Sequence, residues 1–329
     1  MSVRAEQIPI VLCVDVEPFR RQVEESPEPY WHGTPETFDR LDGWRPLLTG
    51  ATGAPVHFSW FWRADPQIEE TYGSVDWGFV RYRAVLEAAV ARGDEHGVHP
   101  HLFRRESSGP WITDARDRRW IAHCVGLSLG AFEPHLGHAC RLVRLGDRRM
   151  DTPTARLLNR LGLDVDLTVE PGVPAEHEEE SNGPTPDYTR ARSRPYRPAR
   201  SNFLRARRLG LGRRGLVMLP LTTSSPAPDG GRRVFRPWDE PEVTTAAVDA
   251  LLDEGQRYLA FAIRTNVVVS PTAWANLEGL LTHLVGHPLA HRFVFATPSQ
   301  AVGMLADARA MRGEPALPER GRARHRSGR

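Results

Sequence analysis

Short apolar runs alternate with segments of helical periodicity along most of the chain. The runs predict strands at 8–16, 55–62, 96–101, 140–146, 165–170, 216–222, 258–265 and 292–297. Apolar positions at helical spacing predict helices at 77–92, 152–161, 272–285 and 299–311. The second helix opens on Asp151 and Pro153, a cap followed by proline in the first turn, and Ser299 caps the last.

Strands that alternate with helices indicate a mostly parallel sheet or a barrel. Seven or eight such units in a chain of 329 residues favour a (β/α) barrel over a doubly wound sheet. No GxGxxG segment follows the first strand, which removes the usual dinucleotide-binding arrangement. The sequence therefore predicts an α/β fold, an irregular (β/α) barrel of seven to eight strands.

Two regions depart from the alternation. Residues 172–200 are rich in proline and carry an acidic run at 176–180. A long irregular insertion in a barrel usually overhangs the active face, so this one is either a substrate-shaping loop or a solvated excursion. The tail at 312–329 is rich in Arg, Gly and Pro, which predicts disorder. We expect one barrel domain over 1–311 that contains the insertion, followed by a disordered basic tail.

Composition narrows the functional classes. Hydrophobic residues make up 40% of the chain, enough for a sizeable core, and the net charge of +2 gives no global drive toward nucleic acid or membrane. Three cysteines without a CxxC spacing predict buried thiols, with no disulfide framework or cysteine zinc site. No apolar stretch has the length of a signal segment or a membrane span, so we expect a cytoplasmic protein.

Polar residues follow the predicted strands at one end of the barrel. In strand order they are Asp15 and Glu17, Arg63 and Asp65, His99 and His101, Arg144 and Asp147, and Glu170. The carboxyl ends of barrel strands form the active face of such folds. Two histidines and a carboxylate suit zinc or another borderline metal, with positions left for water and substrate. Each signal is ordinary loop or packing chemistry when taken alone, and their joint placement points to a metal site.

Several ordered segments resemble the polysaccharide deacetylases (carbohydrate esterase family 4, NodB-like) from about residue 8 to 305. The segment 14–17 (VDVE) resembles the first motif in its Asp-x-Glu/Asp form, and 93–101 (GDEHGVHPH) resembles the second motif, GHEIGLHxH. The segment 144–147 (RLGD) resembles the third motif, 161–172 (LGLDVDLTVEPG) the strand after it, and 295–301 (FATPSQA) a closing segment.

The resemblance implies an irregular (β/α) barrel and a hydrolase of carbon–nitrogen bonds other than peptide bonds. Such an enzyme removes an acyl group, most often N-acetyl, from a sugar or polysaccharide. Glu17, His99 and His101 would hold zinc, whose bound water is the nucleophile. Asp15 would be the general base, and Arg144 would pair with Asp15 and orient it. The partner would be an N-acetylated carbohydrate; the sugar, the acyl group and the oligomeric state are not specified by the sequence.

This chain departs from the family at three points. The first motif has Asp-Val-Glu where two adjacent acids are common, and Phe103 stands where the second ligand histidine would be, so His101 takes that part. Residues two apart on a strand share a face, which lets each pair serve one metal. The histidine that protonates the leaving amine has no clean counterpart, although His283, His287 and His291 lie in the corresponding region.

Other functions remain open at this point. A glycoside hydrolase on a related barrel would pair Asp15 or Glu17 with Glu170 or Asp166. A catalytically degenerate carbohydrate-binding member would keep the fold without the metal. Polyanion binding through the Arg-rich stretch 190–214 ranks lowest, because the charge is local. Four tryptophans near strand ends are either sugar-stacking platforms or core residues: Trp60, Trp62, Trp77 and Trp111.

Overall fold

The computed structural model describes residues 6–18, 31, 33–105, 109–177, 180–207, 215–224 and 232–311. The strands are β1 (Ile8–Val16), β2 (Ser59–Trp62), β3 (Glu95–Val98), β4 (Phe103–Arg105), β5 (Trp111–Thr113), β6 (Leu142–Val143), β7 (Val165–Asp166), β8 (Pro198–Ala199), β9 (Asn202–Ala206), β10 (Val217–Met218), β11 (Thr223–Ser224), β12 (Arg233–Val234), β13 (Leu259–Arg264) and β14 (Phe293–Phe295). The predicted tail at 312–329 and part of the Arg-rich stretch lie outside the described residues.

The helices in the described part of the chain alternate with these strands. They are α1 (Gly33–Thr52), α2 (Pro66–Tyr72), α3 (Trp77–Arg81), α4 (Arg83–Ala91), α5 (Arg118–Leu136), α6 (Thr152–Arg160), α7 (Pro241–Asp253), α8 (Pro271–Gly286) and α9 (Pro298–Met311). Short 3-10 helices follow β6 and β13, at Gly146–Arg148 and Thr265–Val269. None of these helices combines the length and apolar character that crossing a membrane requires.

The central sheet confirms the predicted barrel. Its parallel strands run in the order β10, β7, β6, β3, β2, β1 and β13, and β14 pairs with the first residues of β1. Each of the eight predicted strand segments overlaps one of these strands. The two ends of the sheet approach each other, since the backbone N–H of Thr222 donates to the carbonyl of Ala260 in β13 at 2.8 Å. The curled sheet is therefore an irregular (β/α) barrel.

Strand β1 is buried along its whole length and on both faces. Val11 and Cys13 pack inside the barrel with Leu142 of β6, whereas Leu12 and Val14 pack outward in the layer that contains the helices. Burial on both faces explains why the sequence is an unbroken apolar run instead of an alternating one. By the same alternation, the side chains of residues 15 and 17 point inward at the carboxyl end of the barrel.

Three helix predictions need correction. The predicted helix 77–92 is two helices, α3 and α4, separated at Tyr82. Helix α1 was not predicted, because Gly43, Pro46 and Gly50 interrupt its apolar pattern. Helix α9 begins at Pro298, and the hydroxyl of Thr297 accepts from the N–H of Gln300, so Ser299 is not its cap.

Trp60 and Trp62 belong to the core. Both indole rings are buried, and they point outward from the barrel into the layer between sheet and helices. The indole N–H of Trp60 donates to Asp94 at 2.8 Å, and that of Trp62 donates to Nδ1 of His96 at 3.1 Å. A sugar cannot reach either ring, so the stacking-platform interpretation is wrong for these two residues.

Asp94 ties helix α1 to two barrel strands. Its buried carboxylate accepts from the N–H of Phe58, from Trp60 and, at 2.7 Å, from the guanidinium of Arg45 on α1. Arg45 also contacts Asp42, which is part-exposed. One arginine therefore has one buried and one part-exposed carboxylate partner.

We expect Asp94→Ala to lower the free energy of unfolding by about 3–5 kcal/mol, because Arg45 loses its main partner and the buried N–H groups of Phe58 and Trp60 lose their acceptor. Asp42→Ala is the matched control on the same arginine and should cost about 0–1 kcal/mol. Urea unfolding of the two variants and the wild type measures both values. Equal losses for the two variants would show that the buried carboxylate is not what joins α1 to the sheet.

Candidate metal centre

Glu17, His99 and His101 converge at the carboxyl end of the barrel. Glu17 follows β1, and both histidines follow β3, two strands away in the sheet. Oε2 of Glu17 lies 3.1 Å from Nε2 of His101 and 3.6 Å from Nε2 of His99. One potential ligand atom from each residue lies within 4.8 Å of the other two, and all three side chains are buried. The sequence-predicted triad is thus one cluster.

The group that faces Nδ1 of each imidazole ring influences which of the two ring nitrogens carries the proton. Nδ1 of His99 lies 2.7 Å from the carbonyl oxygen of Arg144, which can only accept, so Nδ1 carries the proton. Nδ1 of His101 faces Oδ2 of Asp147 at 3.4 Å. With its proton on Nδ1, His99 presents an Nε2 lone pair to the carboxylate of Glu17, and Nε2 of His101 lies within hydrogen-bond distance of the same carboxylate oxygen. A lone pair that faces a carboxylate suits a cation between the two, and an oriented imidazole is usual around a metal. The donor set therefore fits a borderline divalent ion such as zinc.

Arg264 holds the other oxygen of Glu17. Arg264 is the last residue of β13, the neighbour of β1. Its guanidinium donates to Oε1 of Glu17, which leaves Oε2 directed at the histidines. Burial acts to raise the pKa of Glu17, but the charge of Arg264 and contacts with His101 and His99 outweigh it and hold the pKa well below its usual range. Glu17 is therefore a carboxylate. Arg264 was not among the site residues predicted from the sequence, although its position near the end of a predicted strand could have identified it.

The ring of His101 is fixed from both faces. It stacks on Phe103 with the ring centroids 5.2 Å apart and the planes 6° from parallel. On another side, a Cβ added to Gly146 would lie 2.5 Å from the ring, so only glycine leaves room there. Phe103 therefore supports the ring of the ligand candidate two residues before it.

Asp15 and Arg144 form a buried pair beside the triad. Nε of Arg144 donates to both carboxylate oxygens, at 3.1 and 3.0 Å, and its NH1 group donates to the carbonyl of Leu167. Asp15 lies on the Nδ1 side of His99, 3.8 Å away, whereas Glu17 lies on the Nε2 side. Burial tends to lower the pKa of Arg144, but Asp15 and Glu170 together raise it, so the guanidinium stays charged. The two acids of the first motif thus occupy different environments.

The loop after β6 is strained where it meets the centre. Asp147 and Arg148 have φ values of 52° and 57°, a left-handed conformation that costs energy in residues other than glycine. Thr113 donates to Asp147 at 3.1 Å, and the hydroxyl of Tyr188 donates to the carbonyl of Arg148 at 2.5 Å. Tyr188 belongs to the insertion 172–200, so the insertion packs on the loop that supplies a partner to His101.

Asp166 and Glu170 lie on opposite sides of the sheet. The N–H of Leu219 donates to the carbonyl of Asp166, and the N–H of Leu221 donates to that of Val169, so the β7 side has one extra residue. This bulge reverses the alternation. Leu167 packs inside the barrel, but Val169 packs in the outer layer. Asp166 therefore faces outward, which contradicts its place in a glycosidase pair at the carboxyl end of the barrel, the mouth. Glu170 faces inward.

A second cluster of two histidines and an acid lies at the other end of the barrel. His283 and His287 of α8 and its C-cap contact Asp249 of α7, at 2.7 and 3.3 Å. His287 packs on Phe293, which pairs with the first residue of β1. The N–H of Leu289 donates to Nδ1 of His287, so the ring proton is on Nε2, directed at Asp249. These atoms form a hydrogen-bonded cluster far from the mouth, and neither histidine can protonate a group bound there.

Comparisons with known proteins give a fold. No protein-family model matches the chain, and no curated protein matches it. A protein from Mycobacterium smegmatis described as a polysaccharide deacetylase is 16% identical, with a TM-score of 0.51 over 98% of this chain and 97% of the other. Puue allantoinase is 13% identical, with a TM-score of 0.54 over 92% and 91%. A probable polysaccharide deacetylase from Pseudomonas aeruginosa is 14% identical, with a TM-score of 0.50 over 90% of each chain. The fold implied by the resemblance is thus confirmed.

Asp166 should make the stability of the protein fall between mildly acidic and neutral pH. Burial raises its pKa from 3.8 to about 7, although Thr168 donates to both carboxyl oxygens. Below pH 3.8 both the folded and the unfolded states are protonated; above it the unfolded state ionises first, so folding loses stability until the pH passes about 7. At about 1.4 kcal/mol per pH unit, the loss reaches up to about 4 kcal/mol.

We expect Asp166→Asn, which cannot ionise, to gain stability relative to the wild type as the pH rises through that window. Urea unfolding at a series of pH values measures the difference. Asp164→Asn is the control, because Asp164 is exposed and near the same strand. A difference between Asp166→Asn and the wild type that does not change with pH would mean that Asp166 is ionised in the folded protein.

Proposed function

We propose that this protein is a metal-dependent hydrolase that removes an acyl group, most simply N-acetyl, from an amide on a sugar or glycan. The observation that carries the proposal is the convergence of two imidazole nitrogens and one carboxylate oxygen at the carboxyl end of the barrel. Solved structures with this fold include proteins described as polysaccharide deacetylases, as well as an allantoinase. Both names describe hydrolysis of carbon–nitrogen bonds outside peptides, which agrees with the chemistry of the cluster.

Glu17, His99 and His101 would be the protein ligands of one divalent metal, which we propose to be zinc. Three protein ligands leave a coordination position for water or substrate, as in catalytic zinc sites. When bound, the ion polarises the acyl carbonyl and lowers the pKa of water. Arg264 would keep Glu17 charged and turned toward the histidines, and Asp147 would keep the His101 ring in the orientation that binding needs.

Asp15 would be the general base that takes the proton of the attacking water. Its carboxylate is outside the triad but adjacent to it, and both of its oxygens are oriented by the charged guanidinium of Arg144. A general base has to be held in one orientation and must stay ionised until it accepts the proton. The Arg144 pair supplies that orientation, and burial of the pair excludes competing water.

A glycoside hydrolase is less well supported. It needs two carboxyl groups set across the scissile bond, and Asp166 cannot serve because it faces away from the barrel interior. Glu170 with Asp15 or Glu17 remains as a pair, but the two oriented histidines would then have no part in the reaction. A catalytically degenerate binding protein would not need the second partners of these rings either.

The wild type should bind one divalent metal per chain, and His99→Ala should weaken zinc binding at least about tenfold because one of three protein ligands is removed. Isothermal titration of the metal-free protein with zinc measures both values. His283→Ala is the matched control, since it removes a histidine from the cluster at the other end of the barrel. If His283→Ala loses the metal and His99→Ala retains it, the proposed site is the wrong one.

Asp15→Asn should reduce acetate release from N-acetylated chitooligosaccharides by about a hundred- to ten-thousand-fold while zinc affinity stays near the wild-type value. The reason is that the base acts on water, whereas Glu17 contacts the metal. Acetate and new reducing ends are measured separately in the same reactions, with and without a chelator. New reducing ends without acetate would assign a glycosidase, and loss of zinc binding in Asp15→Asn would reverse the roles of the two acids.

A further inference from the structure

Hydrolysis of an amide needs a proton for the departing nitrogen, and the roles proposed above, three metal ligands and a base, leave that donor unassigned. The histidines that the sequence suggested for this task, His283, His287 and His291, lie at the opposite end of the barrel. We propose that Glu170 is the general acid, a catalytic residue that donates its proton to the leaving amine. This inference rests on the proposed function and adds a residue to it.

The bulge after β7 turns the side chain of Glu170 toward the barrel interior. Without the extra residue between Asp166 and Val169, position 170 would continue the outward set of β7. With it, Glu170 faces the interior, on the side of Arg144. Bulges beside active sites commonly re-aim one side chain in this way. The backbone therefore departs from regular strand geometry at the point where it directs a carboxyl group into the mouth.

The surroundings of Glu170 are those expected for a protonated carboxyl group. Its side chain is 3% exposed, and Oε2 has no hydrogen-bond partner among the described residues, although NH1 of Arg148 lies 3.5 Å away. Burial of a carboxylate oxygen without a hydrogen bond costs more than burial of a protonated carboxyl group, whose O–H can donate to a substrate atom once one is bound. The charged groups around it are Arg144 after β6, Arg148 in the strained loop and Arg236 before α7, with Tyr188 from the insertion.

Protonation of Glu170 agrees with this placement. Burial raises the pKa of Glu170 above its usual range, against the opposing charges of Arg144 and Arg148. The same arginines would stabilise the carboxylate that remains once the proton has left. A carboxyl group that is neutral before the reaction and stabilised as an anion afterwards has the properties of a general acid.

The proton balance then closes within this chain. Asp15 takes a proton from water as the hydroxyl group adds to the acyl carbon. The carbon–nitrogen bond breaks, its electron pair stays on nitrogen, and nitrogen takes the proton of Glu170. Acetate and the amine leave, Asp15 returns its proton to solvent, and Glu170 regains one.

The test compares two acetyl compounds on Glu170→Gln, a variant of nearly the same shape. For N-acetylated chitooligosaccharides we expect kcat to fall about a hundred- to ten-thousand-fold, because the amine cannot leave unprotonated. For methylumbelliferyl acetate, whose phenolate leaves without a proton, the loss should stay within about threefold. The alkaline fall of kcat/KM for the amide should also disappear in the variant. Zinc affinity, measured by titration calorimetry, should not change.

Glu176→Gln is the matched control, since Glu176 pairs with the same Arg148 at 2.8 Å but is exposed. It should leave both activities near the wild-type values. Equal losses for amide and ester in Glu170→Gln would indicate a structural role and overturn the inference, as would an amide rate within threefold of the wild type. A wild-type protein that binds zinc but releases no acetate from either compound would instead refute the proposed function, and the inference with it.

Discussion

The two buried carboxylates at the carboxyl end of β1 determine which partners the other side chains there must supply. Asp15 and Glu17 are only 2% and 3% exposed, so water cannot compensate their charge. Each is paired with an arginine from a different strand, Arg144 after β6 and Arg264 at the end of β13. Those pairs leave unequal sites: both oxygens of Asp15 are occupied by one guanidinium, and one oxygen of Glu17 is left facing the histidines. The roles we propose for the two acids, Asp15 as base and Glu17 as metal ligand, rest on this difference in pairing.

The sequence predicted the strands and the triad because both depend on local patterns. Parallel strands buried on both faces are apolar runs, and residues two apart on a strand share a face, as His99 and His101 do. What failed depends on distant contacts. The apolar pattern of α1 is interrupted by Pro46, and its packing against the barrel becomes visible only in the fold. The inward position of Glu170 depends on one extra residue in the ladder between β7 and β10, which no apolar pattern encodes.

The insertion 172–200 is part of the construction of the mouth. The left-handed conformation of Asp147 and Arg148 would relax if nothing held it. Tyr188 holds the carbonyl of Arg148, while the side chain of Arg149 donates to Ser181 and to the carbonyl of Gly183. The irregular segment thereby fixes the loop from which Asp147 faces His101 and Arg148 faces Glu170. The sequence left two interpretations of this proline-rich insertion open, a substrate-shaping loop and a solvated excursion. In the structure the insertion also holds Asp147 and Arg148 in position.

Two clusters in this chain have the same composition, two histidines and a carboxylate, and differ in what surrounds them. At α8 a backbone N–H donates to the far nitrogen of His287, which puts the ring proton toward Asp249 and completes a hydrogen-bonded group. At the carboxyl end of the barrel a backbone carbonyl accepts from the far nitrogen of His99, which puts a lone pair toward Glu17 and suits a cation between the two. Residue type and spacing cannot separate these cases. The backbone group behind one ring of each cluster, His99 and His287, does, because it decides which nitrogen of that ring is free to bind a metal.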